Sequence, residues 1–284
     1  MEDIYNETKF LMKKYGITAN KKLGQNFLID GNVINSIVDA SKITDKDLVI
    51  EIGPGLGTLT AKLLEKAGKV ICVELDERMI SILKDRFFMY KNFEIINEDV
   101  LKVDLENLIK ESKKDTDIKN VKIVANLPYY ITTPIIMKLL EDKLDIESIT
   151  VMIQKEVADR LTAIPGDKNS GAITYTVYYY ANAEEILTVP NTSFIPEPEV
   201  ESEVIKLELR KEALIKVKNE EKFFKIIKYA FMQRRKTLVN ALSNCDLFTD
   251  KKHIEKILDE LEIDKKIRGE ALSIEQFAKI AEKI

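Results

Sequence analysis

One histidine, two cysteines and no long apolar run among 284 residues exclude much chemistry before any motif is read. His253, the single histidine, stands in a charged helical stretch without a nearby serine or cysteine nucleophile. A Ser/His/Asp triad and a histidine-rich metal site are therefore both hard to build, and we expect no metal. No GxxxxGK(S/T) loop occurs, which argues against an NTPase of that type. No apolar stretch approaches the roughly 20 residues that span a bilayer. The opening MEDIYNETKF has neither the basic start nor the apolar stretch of a signal peptide. Cys72 lies inside an apolar strand pattern and reads as a buried free thiol, so the chain reads as cytoplasmic.

Net positive charge is also missing. The formal charge of −4 is not that of a protein held to a polyanion by overall attraction. Residues 211–284, however, carry 17 Lys/Arg against 13 Asp/Glu. Local basic clusters sit at Lys13, Lys14, Lys21 and Lys22, and again at Arg234, Arg235 and Lys236. Solvated helix faces explain most such clusters, so they permit RNA binding without establishing it.

What is present is alternation. DLVIEIG (47–53) is a β-rich run ending in glycine, and TLTAKLLEKAG (58–68) follows with helical spacing and Gly68 placed to end a helix. KVICVEL (69–75), FEIINED (93–99), KIVANLP (122–128) and SITVMIQ (148–154) read as further strands. Strands this apolar need cover on both faces, which predicts a mostly parallel sheet with crossover helices. EEILTV and SEVIKLEL add two β-like runs, expected as an antiparallel pair at one edge. Beyond residue 210 the spacing turns helical, and Ser273 and Gln276 have capping-box spacing. The expected organisation is an α/β domain over residues 1–210 and a small all-helical domain over 211–284.

Glu51-Ile52-Gly53-Pro54-Gly55-Leu56-Gly57 joins the first strand to a helix. Glycines there allow a tight turn and close approach of a ligand. The spacing is GxGxG, not the GxGxxG of dinucleotide binding, and a glycine turn alone is weak evidence. Glu74 ends the second strand, where a carboxylate can accept from both ribose hydroxyls. Asp99 ends the third, near where an adenine amino group would lie. A nucleoside-containing cofactor held without a phosphate-binding lysine suits S-adenosylmethionine better than NAD, and acidic surroundings suit its sulfonium. Taken singly, Glu74 and Asp99 would read as ordinary polar strand ends.

The sharpest feature is Asn126-Leu127-Pro128-Tyr129 at the end of the fourth strand. An amino group on adenine is a poor nucleophile because its lone pair is delocalised into the ring. A catalyst should hold both amino hydrogens with acceptors and leave the nitrogen facing the methyl group. The Asn126 side-chain carbonyl and the Leu127 backbone carbonyl can be those acceptors. Pro128 stiffens the turn, and Tyr129 offers an aromatic face to an extruded base. The reaction is then dominated by positioning, with no strong general base required.

These segments together resemble the bacterial KsgA-type small-subunit (16S) rRNA adenine dimethyltransferases over most of the chain. KLGQNFL (22–28), VIEIGPGLGTLT, VELD, NEDVLKVD, NLPYYITTPI, MIQKEVADRL, SFIPEPEVESEV and FMQRRKTLVNAL match that family's motifs in order. The resemblance implies a Rossmann-like class I methyltransferase sheet of seven strands. It implies that Gln25, Asn26 and Leu28 meet the cofactor with Gly53 and Gly55 in the turn. Glu74 and Leu75 would hold the ribose side, Asp99 and Val100 the adenine side, and Asn126 would bridge cofactor and target. Phe194 would stack on the target base opposite Tyr129; its plain alternative is a core aromatic before a stiff loop. Lys21, Lys22, Arg234, Arg235 and Lys236 would touch rRNA backbone. The implied substrate is two adjacent adenosines in the 3′-terminal hairpin, each dimethylated on an assembling 30S particle by a monomer. Glu199 and Thr174 depart from the family pattern, which bears on local RNA contacts. Alternatives are a large-subunit rRNA adenine methyltransferase of the macrolide-resistance type, a non-catalytic assembly factor, and an amino-methyltransferase acting on DNA or a small molecule.

Overall fold

A computed structural model of the chain describes residues 4–20, 23–114 and 117–284. In chain order it runs α1 (Ile4–Lys14), β1 (Phe27–Leu28), α2 (Gly31–Ala40), β2 (Asp47–Ile52), α3 (Thr58–Lys66), β3 (Lys69–Glu74) and α4 (Glu77–Phe87). There follow β4 (Phe93–Asn97), α5 (Leu105–Lys113), β5 (Asn120–Asn126), α6 (Thr132–Glu141), β6 (Ser148–Gln154), α7 (Lys155–Thr162) and α8 (Ala172–Tyr180). The remainder is β7 (Ala181–Val189), β8 (Phe194–Ile195), β9 (Ser202–Leu209), α9 (Glu220–Met232), α10 (Leu238–Leu242), α11 (Lys251–Glu260) and α12 (Ile274–Glu282). Two compact units result. One comprises the described residues up to Ala158 with Ala183–Leu209; the other comprises Asp159–Asn182 with Arg210–Ile284.

In the first unit seven strands pair in the order β4-β3-β2-β5-β6-β9-β7. The pairs β3·β4, β2·β3, β2·β5 and β5·β6 are parallel, and β9 runs antiparallel to β6 from Ser202 opposite Gln154 to Glu208 opposite Ser148. Consecutive residues point to opposite faces of a strand. Leu48-Val49-Ile50, Val70-Ile71-Cys72 and Ile123-Val124-Ala125 are all fully buried, so helices cover both faces. The predicted mostly parallel sheet is therefore what forms. From β2 the chain winds one way through β3 to β4, then returns to lay β5 on the other side of β2. That reversal opens a crevice at the carboxyl ends of the strands.

Local chemistry fixes where the helices start. The Asp76 side chain accepts from the Arg78 N–H at the N-terminus of α4, whose first turn carries Glu77 and last turn Lys84 and Arg86, matching the helix dipole. Asp30 caps α2 in the same way. Gly68 plays a different part from the one its position suggests. It is not a left-handed helix cap, since α3 ends at Lys66; a Cβ there would lie 2.4 Å from the Asp45 carbonyl oxygen. Close passage of two backbones, not helix termination, is what requires glycine at that position.

The second unit is helical. Tyr175 and Tyr179 of α8 are buried among Phe223, Ile226, Leu258 and Phe277, and the Tyr175 hydroxyl donates to the Leu272 carbonyl at 2.5 Å. A single boundary at residue 210 leaves Asp159–Asn182 with the sheet. The tyrosines of α8 instead bring that segment into the aromatic core of the C-terminal helices. At α12, Ser273 and Gln276 exchange the two bonds of a capping box, as their spacing predicts. Among the described residues no helix is long and apolar enough to cross a membrane.

Candidate active site

The carboxyl ends of β2, β3, β4 and β5 border an open cleft of about 1080 Å³. Every sequence-predicted cofactor residue lines it: Gln25, Asn26 and Leu28 from the N-terminal segment, Gly53 and Gly55 after β2, Glu74 and Leu75 at β3, Asp99 and Val100 after β4, and Asn126 ending β5. Leu127, Pro128 and Tyr129 line it as well.

The glycine turn is built from left-handed backbone. Gly53, Gly55 and Gly57 have φ of 68°, 56° and 82°, a region costly for other residues. The Gly53 N–H donates to the Val73 carbonyl at 2.9 Å, which ties the turn to β3. A Cβ on Gly53 would meet nothing nearer than Pro128 Cδ at 4.0 Å, so the backbone there faces open cleft. At Gly57 a Cβ would lie 2.7 Å from both Leu83 and Phe87; that glycine serves helix packing.

Glu74 is almost wholly buried. Its carboxylate accepts from the Asp76 N–H at 2.8 Å and the Gly55 N–H at 3.3 Å. Burial raises its pKa above the ordinary range despite these bonds. A carboxylate offers about four acceptor positions, so backbone donors do not exhaust it and capacity remains for a ligand. Asp99 uses one oxygen to accept from the Leu101 N–H at 3.0 Å, which holds the loop after β4. Asp76 is a junction that reading the strand ends did not isolate. It accepts from Gln25 Nε2 at 2.9 Å and from Arg78 Nη2 at 2.6 Å, and these donors hold its carboxyl below the usual range, Arg78 most strongly. Gln25 thus fastens the N-terminal segment to the β3 end. The only signal was one more acid after Glu74, which reads as polar strand termination.

Glu51 also lines the cleft yet is 1% exposed. Its Oε2 accepts from the Thr60 hydroxyl at 2.6 Å and from the Cys72 thiol at 3.4 Å. Burial pushes the carboxyl up to about 7, with the neighbouring Glu74 adding to the rise. Cys72 is the buried free thiol its strand pattern predicts, and burial beside Glu51 holds it protonated.

At the end of β5, Asn126 Nδ2 donates to the Asn26 carbonyl at 3.3 Å. A carbonyl only accepts, so this contact fixes which way the amide faces and leaves Oδ1 as the side chain's acceptor. The Leu127 N–H is bonded to the Met152 carbonyl at 3.1 Å. Pro128 begins a 3-10 turn (Tyr129–Ile131), and its carbonyl accepts from the Ile131 N–H and the Thr132 hydroxyl. The Tyr129 hydroxyl is paired with Ser202 Oγ at 2.7 Å, which sets the ring against β9. Burial raises its pKa, so it stays a neutral phenol.

Phe194 is not brought to the cleft. It is 1% exposed, packed in the core, and opposite Leu28 in the short β1·β8 pairing. Burial of its ring between paired strands leaves it no face for a base in this arrangement. Lys21 and Lys22 lie outside the described residues. Arg234 donates to the Lys168 and Ser170 carbonyls at 3.3 and 3.1 Å and pairs with Glu270, so it braces a turn; Arg235 and Lys236 are exposed. Thr174 is buried, with its hydroxyl donating to the Arg160 carbonyl and accepting from the Gly171 N–H, a structural place away from solvent. Glu199 is exposed.

A doubly wound sheet that gathers a glycine turn, two acids and an asparagine amide around one crevice defines a Rossmann-like methyltransferase fold. The chain belongs to the ribosomal RNA adenine dimethylase family, whose model matches residues 16–284. It is accordingly an enzyme of the rRNA adenine dimethyltransferase class, whose methyl donor is S-adenosylmethionine. It is 48% identical over 275 residues to "Ribosomal RNA small subunit methyltransferase A" of Alkaliphilus oremlandii, covering 97% of this chain and 95% of that one. To the Bacillus pumilus protein of the same name it is 50% identical over 277 residues, covering 96% and 94%. A solved dimethyladenosine transferase from Plasmodium falciparum superposes with a TM-score of 0.73 at 29% identity, covering 89% of this chain and 95% of that one.

Proposed function

We propose that this enzyme dimethylates the exocyclic amino groups of two adjacent adenosines in the 3′-terminal hairpin of small-subunit rRNA. It acts as a cytoplasmic monomer on an assembling 30S particle. The observation that carries the chemistry is the Asn126 amide, whose nitrogen is occupied by the Asn26 carbonyl so that Oδ1 is left to accept. The relatives' shared small-subunit name supports that substrate over large-subunit rRNA.

The cleft suits S-adenosylmethionine on its own features: open backbone at Gly53, a buried carboxylate with spare acceptor capacity at Glu74, and Asp99 beyond it. When bound, that cofactor supplies an electrophilic methyl group on a sulfonium sulfur. Glu74 would take the ribose hydroxyls, Asp99 the adenine amino group, and Leu75 and Val100 the apolar flanks. Asn26 and Leu28, fastened through Gln25 to Asp76, would cover the cofactor and exclude water. Asn126 Oδ1 and the Leu127 carbonyl would each accept one hydrogen of the target amino group, which localises the nitrogen lone pair. Tyr129, held by Ser202, supplies the stacking face that a buried Phe194 does not. Arg235 and Lys236 are exposed and suit phosphate contacts better than Arg234, which is exposed too but tied to the Lys168 and Ser170 carbonyls and Glu270.

The test is incubation with labelled cofactor and either undermodified small subunits or large-subunit rRNA, followed by mapping of the methylated nucleotides. Label on paired adenosines of the small-subunit hairpin is expected; label on large-subunit rRNA alone would overturn the assignment. In the same assay Asn126→Ala should lose at least about a hundredfold in kcat, while RNA affinity stays within a few-fold. Full activity in that variant would remove the acceptor role.

A further inference from the structure

We propose that Tyr130 is the stacking platform for the nucleotide next to the target adenosine; the inference rests on the RNA substrate proposed above. Tyr130 follows Tyr129 in the same 3-10 turn and lines the same cleft, but its surroundings differ. Tyr129 is half-buried with its hydroxyl fixed by Ser202, whereas Tyr130 is 58% exposed and, among the described residues, its hydroxyl has no hydrogen-bond partner. Residues one apart in a 3-10 turn project about 120° from each other. One ring therefore belongs to the wall of the site and the other to its mouth.

The mouth position is fixed from the other side by Gly24. That residue is left-handed, with φ of 60°, and a Cβ on it would stand 3.3 Å from Tyr130 Cδ1. Glycine there lets the N-terminal segment pass against one edge of the ring and leaves the rest of the ring open. Other exposed aromatics, such as Phe10 and Phe88, do not border the cleft. To place an adenine amino group against Asn126 the base must leave its stack, and its neighbour then loses a stacking partner. An open aromatic ring at the mouth restores that partner, and base–aromatic stacking needs no particular base. Two rings in sequence, one per nucleotide, also suit a substrate modified at two adjacent positions, because the chain can step by one base without losing both contacts.

The experiment compares wild type with Tyr130→Ala, Tyr130→Phe and Tyr130→Trp on undermodified small subunits, with S-adenosylmethionine affinity measured separately. Tyr130→Ala should raise KM for the subunits about tenfold, with cofactor affinity and thermal stability unchanged. Phe and Trp should restore KM, since the ring and not the hydroxyl is used. An unchanged KM in Tyr130→Ala would overturn the proposal, as would a Phe variant as poor as Ala. A loss of cofactor affinity in step with KM would also overturn it and make Tyr130 a latch on the Gly24 segment. Failure of the wild type to methylate small subunits would instead overturn the substrate reading, and this inference with it.

Discussion

Replacing Glu51 with glutamine separates a buried acid's charge from its shape. The carboxyl is 1% exposed, and burial carries its pKa from 4.5 to about 7. An acid whose folded pKa lies above its unfolded value binds its proton more tightly when folded. Its contribution to stability is full below about pH 4.5 and is lost as pH rises through about 7. The gap between the two values corresponds to about 3 kcal/mol. Glutamine keeps an oxygen for the Thr60 and Cys72 donors and never ionises. Urea unfolding of both proteins from pH 5 to pH 8 should therefore show a difference curve that rises with pH in favour of Glu51→Gln. The rise should approach 3 kcal/mol by pH 8, on top of any constant offset from the exchanged amide. Carboxyls that do not act on Glu51 titrate alike in both proteins and cancel, whereas Glu74, whose charge adds to the Glu51 shift, is part of the difference. A flat difference across that range would mean that Glu51 is ionised throughout, and that the Thr60 and Cys72 donors outweigh burial.

Two further substitutions test the fold around the site. Phe194→Leu keeps an apolar side chain in the core; we expect a loss of about 1–2 kcal/mol in stability and methyl transfer within a few-fold of wild type. Activity that collapses while thermal unfolding is unchanged would show that the ring reaches the target base. Gly57→Ala must place a Cβ 2.7 Å from Leu83 and Phe87 at a φ of 82°, and should cost about 3 kcal/mol. Gly53→Ala bears the backbone strain without the clash and should cost about 1–2 kcal/mol. Thermal unfolding of the pair checks the order, and equal losses would contradict the packing role of Gly57.

The cofactor side of the site was legible because a parallel sheet converts sequence into space. Each apolar run ends at the same edge, so Gly53, Glu74, Asp99 and Asn126 had to converge once the runs were recognised as strands. What was not legible depended on contacts between segments distant in the chain. Nothing local reveals that Phe194 lies opposite Leu28, or that Gly68 passes within reach of the Asp45 carbonyl. Asp76 reads as a second polar residue after Glu74, and only the approach of Gln25 and Arg78 gives it a part to play. The tyrosines of α8 carry no mark of which core they will enter; burial beside Phe223 and Phe277 decides it. Family resemblance supplied the RNA half of the reading, which net charge alone would have opposed.

The two-residue ribbon of β1 and β8 has a consequence for how the enzyme turns over. Two strands of that length cannot hold together unaided. This pair persists because Ile29 and Asp30 also bond Ser193 and because the rings of Phe27 and Phe194 are buried beneath it. The stretch that carries Asn26 and Leu28 is thereby stitched to the stretch that carries the Pro-x-Pro turn. The first stretch cannot lift from the cleft without the second, so whatever steadies one steadies the other. If RNA grips the second stretch and so steadies the first over a bound small molecule, that small molecule must tighten RNA binding by the same factor. Exchange of spent donor for fresh would then be easiest between encounters with RNA and slowest during them.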